Sequence, residues 1–343
     1  MKNSIKRAQS ERSLSAMSNV RILREAKKYF AMAAAALALA ACDKNNDDFT
    51  VDNLKDTPIT VSAGVADLAT RAGYMTDATD DTKSVLPETF YLTVIQTDEV
   101  SPYNYYNIEM TKTVGENKYT STDKMLWKDA TRNPFVSAYT IEGTAFTVQT
   151  DQSTAENVIA SDLLGAIKGS GETNDDITIT GDNIGISFRH LLCKLDVAFS
   201  WGNELATATT KTVKSVEYQG FGTDVTLDRD ACTITQGETI TNIQAYVATA
   251  NEGVTYLSEA IFAPQVGTAP KIVITALIDN VERVFSLNVT APTGGFVSGN
   301  RYTMNVTIGG TTAEIGEIEI ANGWETGDAN GEADGTTGNM ATN

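Results

Sequence analysis

The run Ile59-Thr60-Val61-Ser62-Ala63-Gly64-Val65-Ala66 sets the fold class: Ile59, Val61, Ala63 and Val65 alternate with Thr60, Ser62, Gly64 and Ala66. A period of two sends successive side chains to opposite faces, as in a strand with one buried face. The pattern returns in Phe90, Leu92 and Val94, in Ile177 and Ile179, in Ile243, Ala245 and Val247, and in Ile272, Ile274, Ala276 and Ile278. It continues in Phe285, Leu287 and Val289, in Tyr302, Met304, Val306 and Ile308, and in Ile318 and Ile320. These short runs, rich in Val, Ile, Thr and aromatics, are separated by Gly, Asn and Asp clusters, which predicts an all-β protein of β-sandwiches.

Helical signal is scarce. The best stretch is Ser153 to Lys168, where Ser153 and Glu156 have capping-box spacing and Val158, Ile159, Leu163, Leu164 and Ile167 form one face. A composition break falls at Gly169 to Gly185, and the predicted domain boundary lies near its end. The next run, Ile186 to Phe199, changes its apolar face midway, which predicts either burial on both sides or a bulge that shifts the register.

Upstream of these strands the chain reads as an export signal. The apolar stretch Tyr29 to Ala41 is too short to span a bilayer, which takes ~20 residues, and it follows Arg21, Arg24, Lys27 and Lys28. It ends in Leu39-Ala40-Ala41-Cys42, a lipobox in which the Cys42 thiol takes a diacylglycerol and becomes the mature N-terminus. A start at Met17 gives this signal an ordinary length, whereas Met1 makes its basic region long.

Removing residues 1–41 takes eight basic and two acidic residues from totals of 26 and 44, leaving 18 against 42 and a net charge of −24. No cluster of Lys and Arg survives to neutralise phosphates, so nucleic acid is not an expected partner. Asp43 to Asp56 is too polar to pack and reads as a tether. The expected organisation is signal 1–41, lipidated tether 42–57, a sandwich over 58–184, a second over 185–325 and an acidic tail over 326–343. Two cysteines follow Cys42: Cys193 and Cys232 can pair in an oxidising compartment or stand as two buried thiols.

Catalytic chemistry finds few candidates. The one histidine, His190, lies between Phe188 and Leu192 on an apolar strand face, which predicts a hydrogen-bonded core residue rather than a base. GxSxG, HExxH, CxxC, Walker and GxGxxG patterns are absent from the sequence, and no spacing singles out a carboxylate pair. Asp328, Asn330, Glu332 and Asp334 alternate as in a calcium loop, yet the twelfth position is Asn339, so the stretch reads as acidic tail. The sequence predicts no enzyme, no metal and no cofactor.

Several ordered segments carry a resemblance: the lipobox at Cys42, Thr70-Arg71-Ala72, FYLTVIQTD at Phe90 to Asp98, Trp127 and Ala138-Tyr139. Further on come Ser161 to Ala166, SFRHLLCKLDVAF at Ser187 to Phe199, GNRYTMNVTI at Gly299 to Ile308, and Trp324. In this order they resemble the fimbrillins of Bacteroidales, subunits of type V pili. The resemblance implies two transthyretin-like β-sandwiches in tandem and export as a lipoprotein to the outer-membrane surface. It also implies cleavage between Arg71 and Ala72 by an Arg-specific protease, followed by donor-strand exchange with other fimbrillin subunits. The strand removed would be Ile59 to Ala66. The donor would be the C-terminal segment with Ala313, Ile315, Ile318 and Ile320; if that segment is instead a fixed strand of the second sandwich, the chain reads as a tip, an anchor or a non-polymerising relative. The partners implied are sister subunits, the membrane lipid reached through Cys42, the protease, and a host or bacterial surface ligand. The alternative is a surface glycan-binding lipoprotein that uses Trp127, Trp201, Tyr103, Tyr105 and Tyr106 as a stacking platform.

Overall fold

A computed structural model describes residues 54–65, 86–129, 133–168, 176–249, 256–267 and 269–321. The alternating runs become strands. The first sheet holds β1 (Thr60–Val65), β2 (Thr89–Ile95), β3 (Tyr105–Lys112), β4 (Lys118–Thr120), β5 (Phe135–Tyr139), β7 (Leu164–Lys168), β8 (Ile177–Thr180) and β9 (Asn183–His190). Its order is β1-β4-β3-β2-β5-β7-β9-β8, and β9 also pairs with β1, so the strands close on themselves around one core. That core holds Phe90, Leu92, Val94, Trp127, Val136, Ile184, Ile186 and Phe188, with Val61 and Ala63 contributed by β1.

Two further sheets face each other. One orders β15 (Tyr246–Thr249), β16 (Tyr256–Phe262), β10 (Cys193–Trp201), β19 (Arg301–Ile308) and β20 (Ala313–Ala321). The other orders β14 (Ile240–Gln244), β11 (Lys211–Gly222), β17 (Lys271–Ile278) and β18 (Val281–Asn288). Inward residues of both, including Leu195, Val197, Phe199, Tyr218, Phe221, Ile274, Phe262 and Tyr302, share one apolar core. The protein is thus nearly all β among its described residues, with sandwich-like domains. The β17–β18 hairpin turns on Asp279 (φ 48°) and Asn280 (φ 64°), the paired positive angles that match hairpin twist.

A small third sheet joins the halves: β12 (Asp224–Asp228) pairs with β13 (Thr233–Gln236) on one edge and with β6 (Ala145–Thr147) on the other. Beneath it lies a third apolar cluster with Tyr139, Val148, Val158, Leu163, Leu191, Leu192, Val225, Cys232 and Ile261. The buried Gln152 acts as a short strand mimic there: its amide Nε2 donates to the Ile261 carbonyl at 2.7 Å and its Oε1 accepts from Ile261 N–H at 2.8 Å.

Three expectations change. Of the stretch Ser153 to Lys168 only Ala155–Ala160 (α1) is helical; its N-cap is Thr154, not Ser153, and Leu164 and Ile167 belong to β7. Leu163, Leu164 and Ile167 mimic a helical face because both sides of this segment are buried. The run Ile186 to Phe199 is two strands in two sheets, broken at Leu191–Leu192, so its change of face is a crossing between cores rather than a bulge. Burial on both sides does occur beyond the crossing, at Cys193–Val197. Strand β9 remains paired within the first sheet through His190. Similarly, Ile243 and Val247 sit in different sheets: the Ala245 N–H still donates to the Val216 carbonyl of β11 at 2.9 Å, and the chain passes to the other sheet only from Tyr246.

Candidate functional site

Strand β1 is wedged between two neighbours. It runs parallel to β9, with Thr60 opposite Asn183 through Val65 opposite Phe188, and antiparallel to β4, with Val61 opposite Tyr119 and Ser62 opposite Lys118. The approach to it is also held: Asp56 N–H donates to the Trp127 carbonyl at 2.8 Å, Trp127 N–H to the Thr57 carbonyl at 2.9 Å, and Ile59 N–H to the Met125 carbonyl at 2.9 Å. Thr60 N–H and Ala63 N–H donate to the carbonyls of Asp182 and Asn117, both at 3.0 Å. Main-chain bonds therefore run down both edges of the strand, whereas the buried side chains among its described ones are small: Val61 and Ala63, with Leu54 ahead of them. Full burial of a Val or Leu is worth about 1.5–3 kcal/mol, so β1 is held by its ladder at least as much as by its side chains.

The walls of the seat are aromatic. The Phe90 ring meets Tyr119 edge-on at 4.7 Å between centroids and Phe188 at 5.1 Å. Burial, with Glu88 nearby, pushes the Tyr119 phenol up to about 12, and its hydroxyl donates to the Pro87 carbonyl at 2.7 Å. At the entry, Tyr103 donates its hydroxyl to Asp56 Oδ1 at 2.6 Å, and that bond raises the phenol above its usual range. On the outer face Asn183 Nδ2 donates to Ser62 Oγ at 3.0 Å. Sequence reading placed β1 but not this polar frame, because Asp56, Tyr103, Asp182 and Asn183 meet only once the ring closes.

Cys42, Arg71 and Ala72 lie outside the described residues, as does the Asp328 to Asp334 stretch. By chain order, Arg71 and Ala72 fall between the last residue of β1 and Leu86, where description resumes before β2. Cys193 and Cys232 are buried in different apolar clusters. Cys193 Sγ donates to the Val297 carbonyl at 3.0 Å, and burial pushes the Cys232 thiol up. His190 is buried, with Nδ1 2.6 Å from Asp162 Oδ2, in keeping with a hydrogen-bonded core residue.

The proposed aromatic platform is not assembled. Trp127 is buried, its indole Nε1–H donating to the Asp182 carbonyl at 3.1 Å. Tyr105 accepts from Leu126 N–H at 2.8 Å through its hydroxyl, and half-buried Trp201 packs edge-on to Tyr256. Tyr106 is the only member of the group among the large exposed apolar side chains.

One polar cluster was not legible in the sequence. On the face of β10 opposite its main core, buried Lys194 lies 2.6 Å from Glu259 and 3.6 Å from Asp196, and Arg301 Nε reaches Asp196 at 2.5 Å. Two cations and two carboxylates balance, the condition under which buried charge is tolerated. Among the described residues no group of three or more His, Cys, Asp or Glu is arranged to hold a metal.

A sequence model described as fimbrillin-like matches residues 70–324. No curated protein matches the chain. Among solved structures, a candidate cell adhesion protein from Bacteroides uniformis aligns over 78% of this chain and 99% of its own at 19% identity, with a TM-score of 0.52. A second, from Bacteroides ovatus, aligns over 77% and 98% at 15% identity, with a TM-score of 0.54. The tip fimbrial protein Mfa3 of Porphyromonas gingivalis, truncated at its C-terminus, aligns over 78% and 99% at 11% identity, with a TM-score of 0.44.

Proposed function

The chain belongs to the fimbrillin-like family, and we propose that it is a non-enzymatic pilus subunit that exchanges β1 for a strand of another subunit. In this reading it is exported as a lipoprotein through Cys42, displayed at the outer-membrane surface, and cut after Arg71. The observation that carries the proposal is the placement of β1, which completes the first core from between β9 and β4 and precedes the segment bearing Arg71. A cut there severs β1 and its tether from every later strand without breaking another chain connection. The vacated seat would offer two strand edges and an apolar slot, the chemistry of strand addition.

Protease selectivity fits this scheme. Arg189, Arg283 and Arg301 lie in strands β9, β18 and β19, and Arg229 donates to the carbonyls of Ile141, Glu142 and Gly143. A protease must pull such residues out of structure before it can cut; Arg71 and Arg132 lie outside the described residues. In turn, β20 pairs along its length with β19, so the segment with Ile315, Ile318 and Ile320 is engaged in its own sheet. That arrangement favours a subunit that accepts a strand over one that lends β20, hence a tip or accessory role.

The test is to treat the chain from Asp43 onward with an Arg-specific protease, following intact mass and unboiled gels. Cleavage after Arg71, abolished by Arg71→Lys and not by Arg132→Lys, is expected, without a self-made ladder. A ladder would make the chain a self-polymerising shaft subunit, and resistance at Arg71 would remove the exchange reading. Of the aromatics in the glycan-binding alternative, Trp127 is buried and Tyr106 is exposed.

A further inference from the structure

The two faces of β1 differ in how well they are filled, and this bears on which strand replaces it. On the inner face Val61 and Ala63 are 3% and 6% exposed, against a core containing Tyr119, Phe90 and Phe188. A trough of about 210 Å³ runs beside Gly64, lined by Ser62, Ala63, Asp176, Thr178, Gly185, Ile186 and Ser187. A Cβ at Gly64 would meet no heavy atom within 4 Å, and Gly64 has no positive φ to forbid a side chain.

Resting on the strand-exchange reading, we infer that β1 is an underfilled placeholder, and that the strand replacing it comes from a different kind of subunit. That strand carries small apolar residues at the positions of Val61 and Ala63 and a long side chain with a polar tip at the position of Gly64. The hydroxyls of Ser62, Thr178 and Ser187 and the Asp176 carboxylate in the lining select the tip, and the volume selects the length. A strand that fills the trough binds tighter than β1, which gives the exchange its direction without any other energy source.

Strand β20 of a second copy does not meet this pattern. Its apolar spacing is interrupted where the register shifts between Met304 and Val306, separating Ala313 and Ile315 from Ile318 and Ile320. Laid in the direction of β1, either pair puts Ile at the Ala63 position, where added methylenes overpack a core. Laid in reverse, Ala313 and Ile315 fit but Glu317 follows them inward at the position of half-buried Ile59.

The experiment uses the full chain in two forms. In the uncut chain, Gly64→Tyr is compared with Gly64→Ala, since alanine removes glycine's flexibility without filling the trough. The expected result is a melting temperature about 2–4 °C above that of the alanine variant; equal melting temperatures overturn the inference by themselves. In the second form, a sequence-specific protease site placed in the 66–85 segment allows nicking, and labelled peptides of residues 54–66 compete for the seat. The Gly64→Tyr peptide is expected to bind about tenfold tighter than the wild-type peptide, with no entry of an Ala63→Leu peptide or of residues 313–321. If the 313–321 peptide competes equally, the different-subunit assignment falls. If even the wild-type peptide never enters, strand exchange itself fails, while the uncut comparison still decides whether the trough is fillable.

Discussion

Trp127 and Thr60 share one acceptor: the Asp182 carbonyl takes the indole Nε1–H at 3.1 Å and the Thr60 N–H at 3.0 Å. The second of these is the first main-chain bond of β1 on its β9 side, so a buried tryptophan steadies the end of the seat where the strand begins. Trp127→Phe keeps most of the apolar volume and removes the donor. A net hydrogen bond is worth about 0.5–1.5 kcal/mol and the smaller ring leaves some void, so a loss of about 1–3 kcal/mol is expected in urea unfolding. In the nicked chain the same variant should release β1 faster; an unchanged release rate would show that the tryptophan packs the core without holding the strand.

Tyr119 forms part of the seat wall, which makes the seat sensitive to alkali. The free phenol titrates near 10 and the folded one is pushed up to about 12. The unfolded chain therefore loses this proton first as pH rises. The contribution is fully present below about pH 10 and is lost progressively between about 10 and 12. Its size is on the order of 2 kcal/mol. Comparing wild type with Tyr119→Phe in denaturant at pH 8, 10, 11 and 12 should show the phenylalanine variant losing less stability over that window. Buried Tyr218 and Tyr139 add to alkaline unfolding in both proteins and cancel in the difference.

The Lys194 and Glu259 pair is buried on both sides, at 1% and 0% side-chain exposure. Removing one partner strands the other charge, so Lys194→Met and Glu259→Leu should each cost about 3–5 kcal/mol. The double variant should recover most of that loss, since an apolar pair of similar volume replaces a buried ion pair at little cost. A double-mutant cycle by urea denaturation measures it. Additive losses would show that Asp196 and Arg301, rather than the pair itself, set the penalty.

How much of this was readable in sequence depends on how many layers bury a segment. Phe90, Leu92 and Val94 alternate cleanly because one face of β2 meets one core, and the strand was placed from them alone. His190 could be read as a core residue from Phe188 and Leu192, although its partner Asp162 could not. The Leu191–Leu192 crossing was hidden because a third cluster takes both leucines, so apolar residues continue where the chain changes sheets. Leu163, Leu164 and Ile167 imitated a helix for the same reason. Trp127 looked available for stacking because nothing local to it signals that Asp182 and β1 cover it. Nothing local marks Lys194 and Glu259 as a pair, since the pairing of β10 with β16 that joins them is non-local.

Two glycines show how local surroundings decide the effect of the same substitution. At Gly64 an added methyl meets open space, and Gly64→Ala should be neutral or slightly stabilising because it lowers the entropy of the unfolded chain. At Gly165, in β7 between the halves, a Cβ would lie 2.8 Å from Leu191 Cδ1, 2.9 Å from Tyr139 Cε1 and 3.0 Å from Cys232 Sγ. Tyr139 cannot easily yield, because its hydroxyl donates to the Arg229 carbonyl at 2.7 Å while the Arg229 guanidinium lies 4.7 Å above its ring. Gly165→Ala should therefore destabilise by about 1–3 kcal/mol through overpacking. It should also loosen the junction enough for the Cys232 thiol to react with an alkylating reagent that leaves the wild-type thiol untouched. Thiol labelling followed by mass spectrometry reads this directly. Labelling unchanged from wild type, together with unchanged urea unfolding, would mean that the junction absorbs the methyl by a shift of Leu191.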